Sequence, residues 1–175
     1  MGRITRFSRF FLVTVTAAVF LLVSMHAWPS TSFRAPAGDS IPELNRMIVE
    51  IVAQQIGKTV DRGECWDLAA LVLNDTGASW DHEYIFGRKL DPASDTLFPG
   101  DLIQFEGVKI RYKRGNATYT ETMAHHTAVI YQVKEQGVFV IAHQNNGVSG
   151  RKVGLTDLEL KTIIQGKFMI YRPVR

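Results

Sequence analysis

Residues 63–73 read GECWDLAALVL and determine where the main helix of the domain begins. The apolar residues of this stretch recur at helical spacing, and residues 74–77 (NDTG) end the pattern with a glycine that terminates helices. The pattern predicts a helix that begins within residues 63–67. Cys65, the one cysteine of the chain, is therefore expected in or just before the first helical turn.

A first helix is expected upstream of this one. Apolar residues recur at helical spacing through residues 44–56, and Gly57 supplies a stop. Ser40 is followed three residues later by Glu43, which is the pattern of a capping box with Ser40 as the N-cap. The N-terminal part of the domain, up to about residue 77, is therefore predicted to be helical.

Downstream of residue 98 the pattern changes to strands. Strands are predicted at residues 102–105 leading into 108–112, and at 127–133, 138–142, 151–153 and 168–172. A single helical turn is predicted at 156–159, and residues 80–95 and 113–124 are expected to be cleft-shaping loops. Helices followed by antiparallel strands predict an α+β domain, with N-terminal helices packed on a central antiparallel β-sheet.

The N-terminal residues have the pattern of an export signal. Three arginines precede the apolar stretch 10–25, which is short for a spanning helix of about 17–25 residues. We expect residues 1–29 to be a signal peptide or N-terminal membrane anchor, 30–38 a linker and 39–175 the folded domain. Because the positive end stays inside, the domain is expected to be exported, and to be periplasmic, extracellular or anchored to the outer face of the cytoplasmic membrane.

The charge distribution argues against nucleic acid as a partner. The chain has a formal net charge of +3, but four of its 20 basic residues and none of its 17 acidic residues lie in residues 1–37. The remainder is therefore nearly neutral and lacks the basic footprint that a phosphate backbone requires. No CxxC or HExxH spacing occurs, so neither a metal nor a cofactor is expected.

Cys65 is the residue around which we expect the chemistry to be organised. Unpaired backbone N–H groups and the positive end of the helix dipole lie at a helix N-terminus. Both favour an anion, so they are expected to lower the pKa of the thiol and to support a developing oxyanion.

Two neighbours of Cys65 are expected to have no catalytic role. The carboxylate of Asp67 has no predicted partner and is expected in solvent, and Trp66 is expected to be a packing residue.

Histidines at two strand ends can supply a base. His125 and His126 open one predicted strand, and His143 ends the next. The hairpin between these strands places the start of the first beside the end of the second. One histidine can therefore take the proton from Cys65, while a residue within 143–145 orients the ring.

Three segments resemble the landmarks of the papain-like NlpC-type and CHAP (cysteine, histidine-dependent amidohydrolase/peptidase) superfamily. They are GECWDLA at 63–69, FPGDLIQF at 98–105 and HTAVIY at 126–131. A closer resemblance is to the cysteine-proteinase-fold domain at the C-terminus of fungal myosin-interacting scaffold proteins. Gln144-Asn145 and Tyr171-Arg172-Pro173 also carry that resemblance.

The resemblance implies a role for each site residue. Cys65 would be the nucleophile, His126 the general base and His143 the third member of the triad. Strand alternation alone does not separate His126 from His125. Alternation does place positions 143 and 145 on one face and position 144 on the other. The candidates for the third position rank in the order His143, Asn145, Gln144.

The function implied is an exported thiol hydrolase that cleaves amide bonds in a peptide or peptidoglycan-like substrate. Membrane contact is expected only through the N-terminal segment, and no nucleic-acid partner is expected. A non-catalytic binding or scaffold domain on the same fold is one alternative. A thiol acyltransferase is another, since it would use the same residues with a different acceptor.

Overall fold

A computed structural model describes residues 40–175 of the chain. Two helices come first within this range, α1 (Glu43–Gln55) and α2 (Cys65–Thr76). The strands that follow are β1 (Arg88–Leu90), β2 (Leu102–Arg114), β3 (Ala117–Glu135), β4 (Val138–His143), β5 (Gly154–Glu159) and β6 (Ile163–Arg172). The predicted signal or anchor at 1–29 and the linker at 30–38 lie outside the described residues. No helix within 40–175 is long and apolar enough to cross a membrane.

The six strands form one antiparallel sheet in the order β1-β6-β2-β3-β4-β5. Both helices pack on one face, where Ile48 and Leu68 belong to the same buried cluster as Leu102 and Val129 of the sheet. Side chains alternate along a strand, so the neighbouring residue Ile103 belongs to a second buried cluster. This arrangement confirms the predicted α+β domain with its helices on a central antiparallel sheet.

A buried ion pair joins the start of β2 to β6 and α1. The fully buried carboxylate of Asp101 accepts hydrogen bonds from Arg172 Nε (3.0 Å) and Nη2 (2.8 Å), and from Asn45 Nδ2 (2.8 Å). Gly100 has φ +87°, and a Cβ there would lie 2.4 Å from the carbonyl oxygen of Asn45. The Pro-Gly-Asp segment therefore needs its glycine for close backbone approach and its aspartate for the ion pair.

The expected loop at 113–124 is wrong, because β2 and β3 continue as a long hairpin. The ladder runs to the pair Arg114 and Ala117, and Gly115, with φ +59°, begins a two-residue turn. Residues 117–122 alternate Thr with other side chains, a composition that favours a strand once a partner strand is present. The other expected loop, 80–95, contains the short strand β1.

Two predicted elements near the C-terminus are also wrong. Residues 151–153 form no strand, and Val153 makes only an isolated bridge with Ile56. Residues 156–159, expected as a helical turn, lie in β5, which pairs with β4 along its whole length. Six backbone pairs with β4 outweigh a weak local helix signal, and the helical turn follows at Leu160–Thr162 instead.

The predicted capping box of α1 does not form. The helix begins at Glu43, and its N-cap is Pro42, whose carbonyl accepts the backbone N–H of Arg46 at 3.0 Å. No side chain caps this end. Ser40 lies two residues before the N-cap, so the spacing that a capping box requires is absent.

Candidate active site

Cys65 is the first residue of α2, and the loop before it is held by Gln144. The side chain of Gln144 is fully buried, and its Nε2 donates to the carbonyl oxygens of Val60 (3.0 Å) and Glu64 (2.7 Å). Its Oε1 accepts the backbone N–H of Val60 at 3.1 Å. Gln144, the third-ranked candidate for the triad, thus fixes the backbone that presents Cys65.

Asp67 stabilises the same helix end from the first turn. Its Oδ2 accepts the backbone N–H of Glu64 at 3.0 Å, and its Oδ1 accepts Arg62 Nη2 at 2.6 Å. The expectation that Asp67 is solvated is wrong, because the helix N-terminus stabilises a carboxylate that caps it. Gly63 precedes the cap with φ +81°, and a Cβ there would lie 2.8 Å from Cβ of Arg151.

The Cys65 thiol is partly buried between α2 and β3. The nearby backbone of Thr127, Trp66 and Cys65 itself favours the thiolate. Burial outweighs this effect, and the pKa of the thiol is raised above its ordinary value. The expected lowering of this pKa is therefore wrong, because desolvation of the thiolate exceeds the stabilisation that the helix end supplies.

A buried pair of imidazoles lies on β3 and β4. Nε2 of His126 is 2.8 Å from Nδ1 of His143, and Nε2 of His143 is 2.9 Å from Oγ1 of Thr156 on β5. Burial lowers the pKa of His126 to about 4 and that of His143 to about 3, with smaller contributions from neighbouring histidines. Both rings are therefore neutral near pH 7. Nδ1 of His126 has no hydrogen-bond partner among residues 40–175, so it is free to accept a proton.

His125 has different partners from His126. Its Nδ1 lies 2.8 Å from Oε2 of Glu106, the residue opposite it on β2, and its ring meets the edge of Tyr84 at a centroid distance of 4.2 Å. Adjacent residues of a strand point to opposite faces, which separates the two rings. The structure thus places His126, not His125, beside His143.

Asn145, the second-ranked candidate for the third position, lies beyond the end of β4. It has φ +57°, and its Nδ2 donates to Oε2 of Glu64 at 2.5 Å. Strand alternation no longer applies there, because the last residue of β4 is His143. Among the three candidates, only His143 is hydrogen-bonded to His126 in the described structure.

A cavity of about 800 Å³ opens above the cysteine and the imidazole pair. Its lining residues are Arg62, Glu64, Cys65, Trp66, Tyr84, Glu121, Thr122, Met123, Ala124, His125, His126, His143, Asn145, Asn146, Gly147, Val148 and Thr156. One wall is formed by residues 121–126 of β3. No three His, Cys, Asp or Glu side chains within residues 40–175 are grouped so that they could hold a metal ion.

Sequence reasoning missed two contributors to this site. Trp66, expected to be a packing residue only, lines the cavity and donates from Nε1 to the carbonyl oxygen of Glu83 at 2.7 Å. The sequence pattern predicts a helical turn at residues 156–159, and such a turn does not place Thr156 beside His143. Residues 154–159 (GLTDLE) do not alternate regularly between apolar and polar, so no local signal placed Thr156 on a strand.

Comparison with known proteins gives one family profile and two solved structures that this chain resembles. The sequence profile of the AIM3/BBC1 cysteine proteinase-fold domain matches residues 42–175. A solved structure titled "The crystal structure of Ly7917" matches with a TM-score of 0.42 and 15% identity, covering 73% of this chain and 62% of that one. A second, "The crystal structure of Ly7917 with the hydrolyzing product of MDP", matches with a TM-score of 0.43 and 16% identity, covering 74% and 63%.

The chain thus spans less than two thirds of those solved chains. Comparison with curated proteins gives no match. The profile match covers nearly the whole described domain and confirms the resemblance drawn from the sequence motifs. The chain belongs to the AIM3/BBC1 cysteine proteinase-fold domain family.

Proposed function

We propose that residues 39–175 form a thiol hydrolase that cleaves amide bonds with Cys65 as nucleophile, His126 as general base and His143 as the third residue. One observation carries the proposal. A cysteine at a helix N-terminus lines the same cavity as a buried imidazole that has one ring nitrogen hydrogen-bonded and the other free. A thiol and a base that line one cavity, with the base oriented by a third group, are the components of nucleophilic catalysis by a thiol.

In the first half of the reaction, Sγ of Cys65 attacks the substrate carbonyl carbon while Nδ1 of His126 takes the thiol proton. Because burial raises the pKa of the thiol and lowers that of the imidazole, the resting pair is neutral. The proton therefore moves during the attack. The imidazolium then gives this proton to the leaving amine as the C–N bond breaks, which leaves a thioester on Cys65.

In the second half, His126 takes a proton from water as the water oxygen attacks the thioester carbonyl. The C–S bond breaks, the acid product leaves and Sγ of Cys65 recovers its proton from His126. The backbone N–H of Cys65 lies at the start of α2, where helix N–H groups lack intrahelical acceptors. It is the donor that we assign to the oxyanion in both halves.

The substrate and the location of the protein form part of the same proposal. The cavity combines apolar side chains, such as Trp66, Met123 and Val148, with the charged Arg62 and Glu121, a mixture suited to a peptide or a peptidoglycan-like amide. The sequence of residues 1–29 supports export, with membrane contact limited to that segment.

A non-catalytic binding domain on the same fold is the second candidate. The raised pKa of the Cys65 thiol favours it, because a buried neutral thiol is also what a structural cysteine has. The two candidates differ in whether the reactivity of Cys65 depends on His126. An acyltransferase would share that dependence and differ only in the acceptor of the acyl group.

Acylation of the full chain by p-nitrophenyl acetate separates the two candidates. We expect acetylation of Cys65, detected by peptide mass spectrometry, followed by turnover, and no acetylation at position 65 in Cys65→Ala. His126→Gln should slow acylation by about 100-fold, and the matched variant His82→Gln, at an exposed position outside the cavity lining, should stay within about twofold of the wild type. Equal acylation rates in the wild type and His126→Gln would leave only the binding domain.

A further inference from the structure

We propose that Thr156 is a positioning residue that sets the tautomer of His143 and, through it, that of His126. The inference rests on the proposed function, since it concerns the proton that His126 would accept. It assigns a role to a side chain beyond the Cys-His-His triad. The role follows from the chain of hydrogen bonds that runs from β3 through β4 to β5.

The sheet register brings these three side chains together. On β5, Thr156 lies opposite Ile141, two residues before His143 on β4, so the side chains of Thr156 and His143 share one face of the sheet. Oγ1 of Thr156 lies 2.9 Å from Nε2 of His143, whose Nδ1 lies 2.8 Å from Nε2 of His126. Both ring nitrogens of His143 are therefore hydrogen-bonded.

A neutral imidazole carries one N–H, so the chain has two possible arrangements. In the first, His126 donates from Nε2 to Nδ1 of His143, which in turn donates from Nε2 to Thr156. Nδ1 of His126 then keeps a lone pair and can take a proton. In the second, every donor is reversed, Nδ1 of His126 carries the proton and His126 cannot act as a base.

The surroundings favour the first arrangement. Thr156 is half-buried and lines the cavity, so its hydroxyl hydrogen can point to solvent while Oγ1 accepts from the buried His143. The backbone of Thr127, Trp66 and Cys65 already favours the thiolate, so Nδ1 of His126 serves the thiol better as an acceptor than as a further donor. The first arrangement also remains intact when His126 becomes protonated, because its Nε2–H already donates to His143.

Nitrogen-15 NMR of the full chain with labelled histidine tests this inference, since the ¹⁵N shifts distinguish protonated from unprotonated ring nitrogens. The wild type is expected to show Nε2–H in both His126 and His143. In Thr156→Val, which removes the hydroxyl and keeps the branched shape, both rings are expected to shift toward Nδ1–H. Acetylation of Cys65 by p-nitrophenyl acetate should then slow by about tenfold or more.

Thr156→Ser restores the hydroxyl and is expected to recover both the tautomers and the acylation rate. The matched control is Thr120→Val, the same substitution at an exposed position of β3 outside the cavity lining, which should change neither. Thr156→Ala provides a second hydroxyl-free variant if the valine variant fails to fold. Thermal unfolding of each variant separates loss of positioning from loss of structure.

Two results would overturn the inference. One is a wild-type spectrum with Nδ1–H in His126. The other is a folded Thr156→Val or Thr156→Ala that retains the wild-type tautomers. Failure of the proposed function gives a different pattern, in which the tautomers respond to Thr156 but acylation of Cys65 does not respond to His126→Gln.

Discussion

Nε2 of His126 lies 2.8 Å from Nδ1 of His143, and both rings are buried. The partner of the candidate base is thus a neutral imidazole rather than a carboxylate. A carboxylate would raise the pKa of His126 by its charge, whereas burial beside His143 lowers it to about 4. His126 is therefore unprotonated throughout the neutral range, and in the proposed mechanism it would act on a thiol, not beside a preformed thiolate.

The first prediction concerns the acceptor that His143 supplies. His143→Asn keeps an oxygen that can accept Nε2–H of His126, so it should retain acylation of Cys65 within about tenfold of the wild type. His143→Leu offers no acceptor and should lower the rate by about 100-fold or more, because the tautomer of His126 is no longer fixed. Stopped-flow acylation with p-nitrophenyl acetate gives both rates. Equal rates in the two variants would contradict the assigned role of His143.

The second prediction concerns stability in acid. In the folded chain the pKa of His126 is about 4 and that of His143 about 3, against 6.5 for a free histidine. Between pH 6.5 and the pKa values of the folded chain, the unfolded chain therefore binds more protons. The free energy of unfolding falls as pH drops through this range and levels off below it. The expected loss for His126 alone is on the order of 3 kcal/mol between pH 7 and pH 4.

Urea denaturation at a series of pH values measures this loss. The double variant His126→Gln/His143→Gln removes both titrating groups, so its stability should fall less steeply over the same range. Thr120→Val, at an exposed position of β3, removes no titrating group and should keep the wild-type slope. A double variant with an unchanged slope would show that these histidines are not the origin of the acid sensitivity.

The third prediction concerns Gln144. Gln144→Leu removes three buried hydrogen bonds to the loop before Cys65 and leaves backbone groups of Val60 and Glu64 without partners. We expect a loss of about 2–4 kcal/mol in the free energy of unfolding and slower acylation of Cys65. Gln165→Leu, at an exposed position of β6, should change stability by less than about 0.5 kcal/mol. Denaturant titration of both variants makes the comparison.

The fourth prediction contrasts two ion pairs. Asp101→Ala removes the carboxylate partner of the Arg172 guanidinium, whose side chain is only 14% exposed. The free energy of unfolding should fall by about 3–5 kcal/mol. Asp157→Ala breaks the solvent-exposed pair with Lys134 and should cost less than about 1 kcal/mol. Thermal and denaturant unfolding report both values. A similar small cost in the two variants would mean that the buried pair does not hold the start of β2.

The sequence was sufficient for the elements whose signals are local. The helix that starts at Cys65 has apolar residues at helical spacing and a terminal glycine, and these local preferences agree with its packing. The hairpin between β3 and β4 likewise follows from alternation and a glycine turn. A hairpin brings the start of its first strand beside the end of its second, so the sequence alone predicts that His126 and His143 lie near each other.

Other features depended on contacts between distant segments. The tip of the β2–β3 hairpin and the strand at residues 154–159 have weak local patterns, and their conformation is set by pairing with a neighbour strand. The pKa of Cys65 is set by burial, which no local motif reports. Gln144 could not be separated from a triad member because its partners, Val60 and Glu64, lie about 80 residues earlier in the chain.

Activation of Cys65 by His126 should be visible in the reaction of the thiol with iodoacetamide. The measurement is the alkylation rate of Cys65 as a function of pH. The full chain is compared with His126→Gln. Because the pKa of the thiol is raised, little thiolate is present at pH 7. If His126 takes the thiol proton, the wild type should react at least about tenfold faster than the variant at that pH.

We expect the wild-type rate to fall as pH drops through about 4, where His126 becomes protonated. The rate of His126→Gln should fall at higher pH, as soon as the pH drops below the pKa of the thiol. Superimposable profiles that both follow the thiolate population alone would contradict activation of Cys65 by His126.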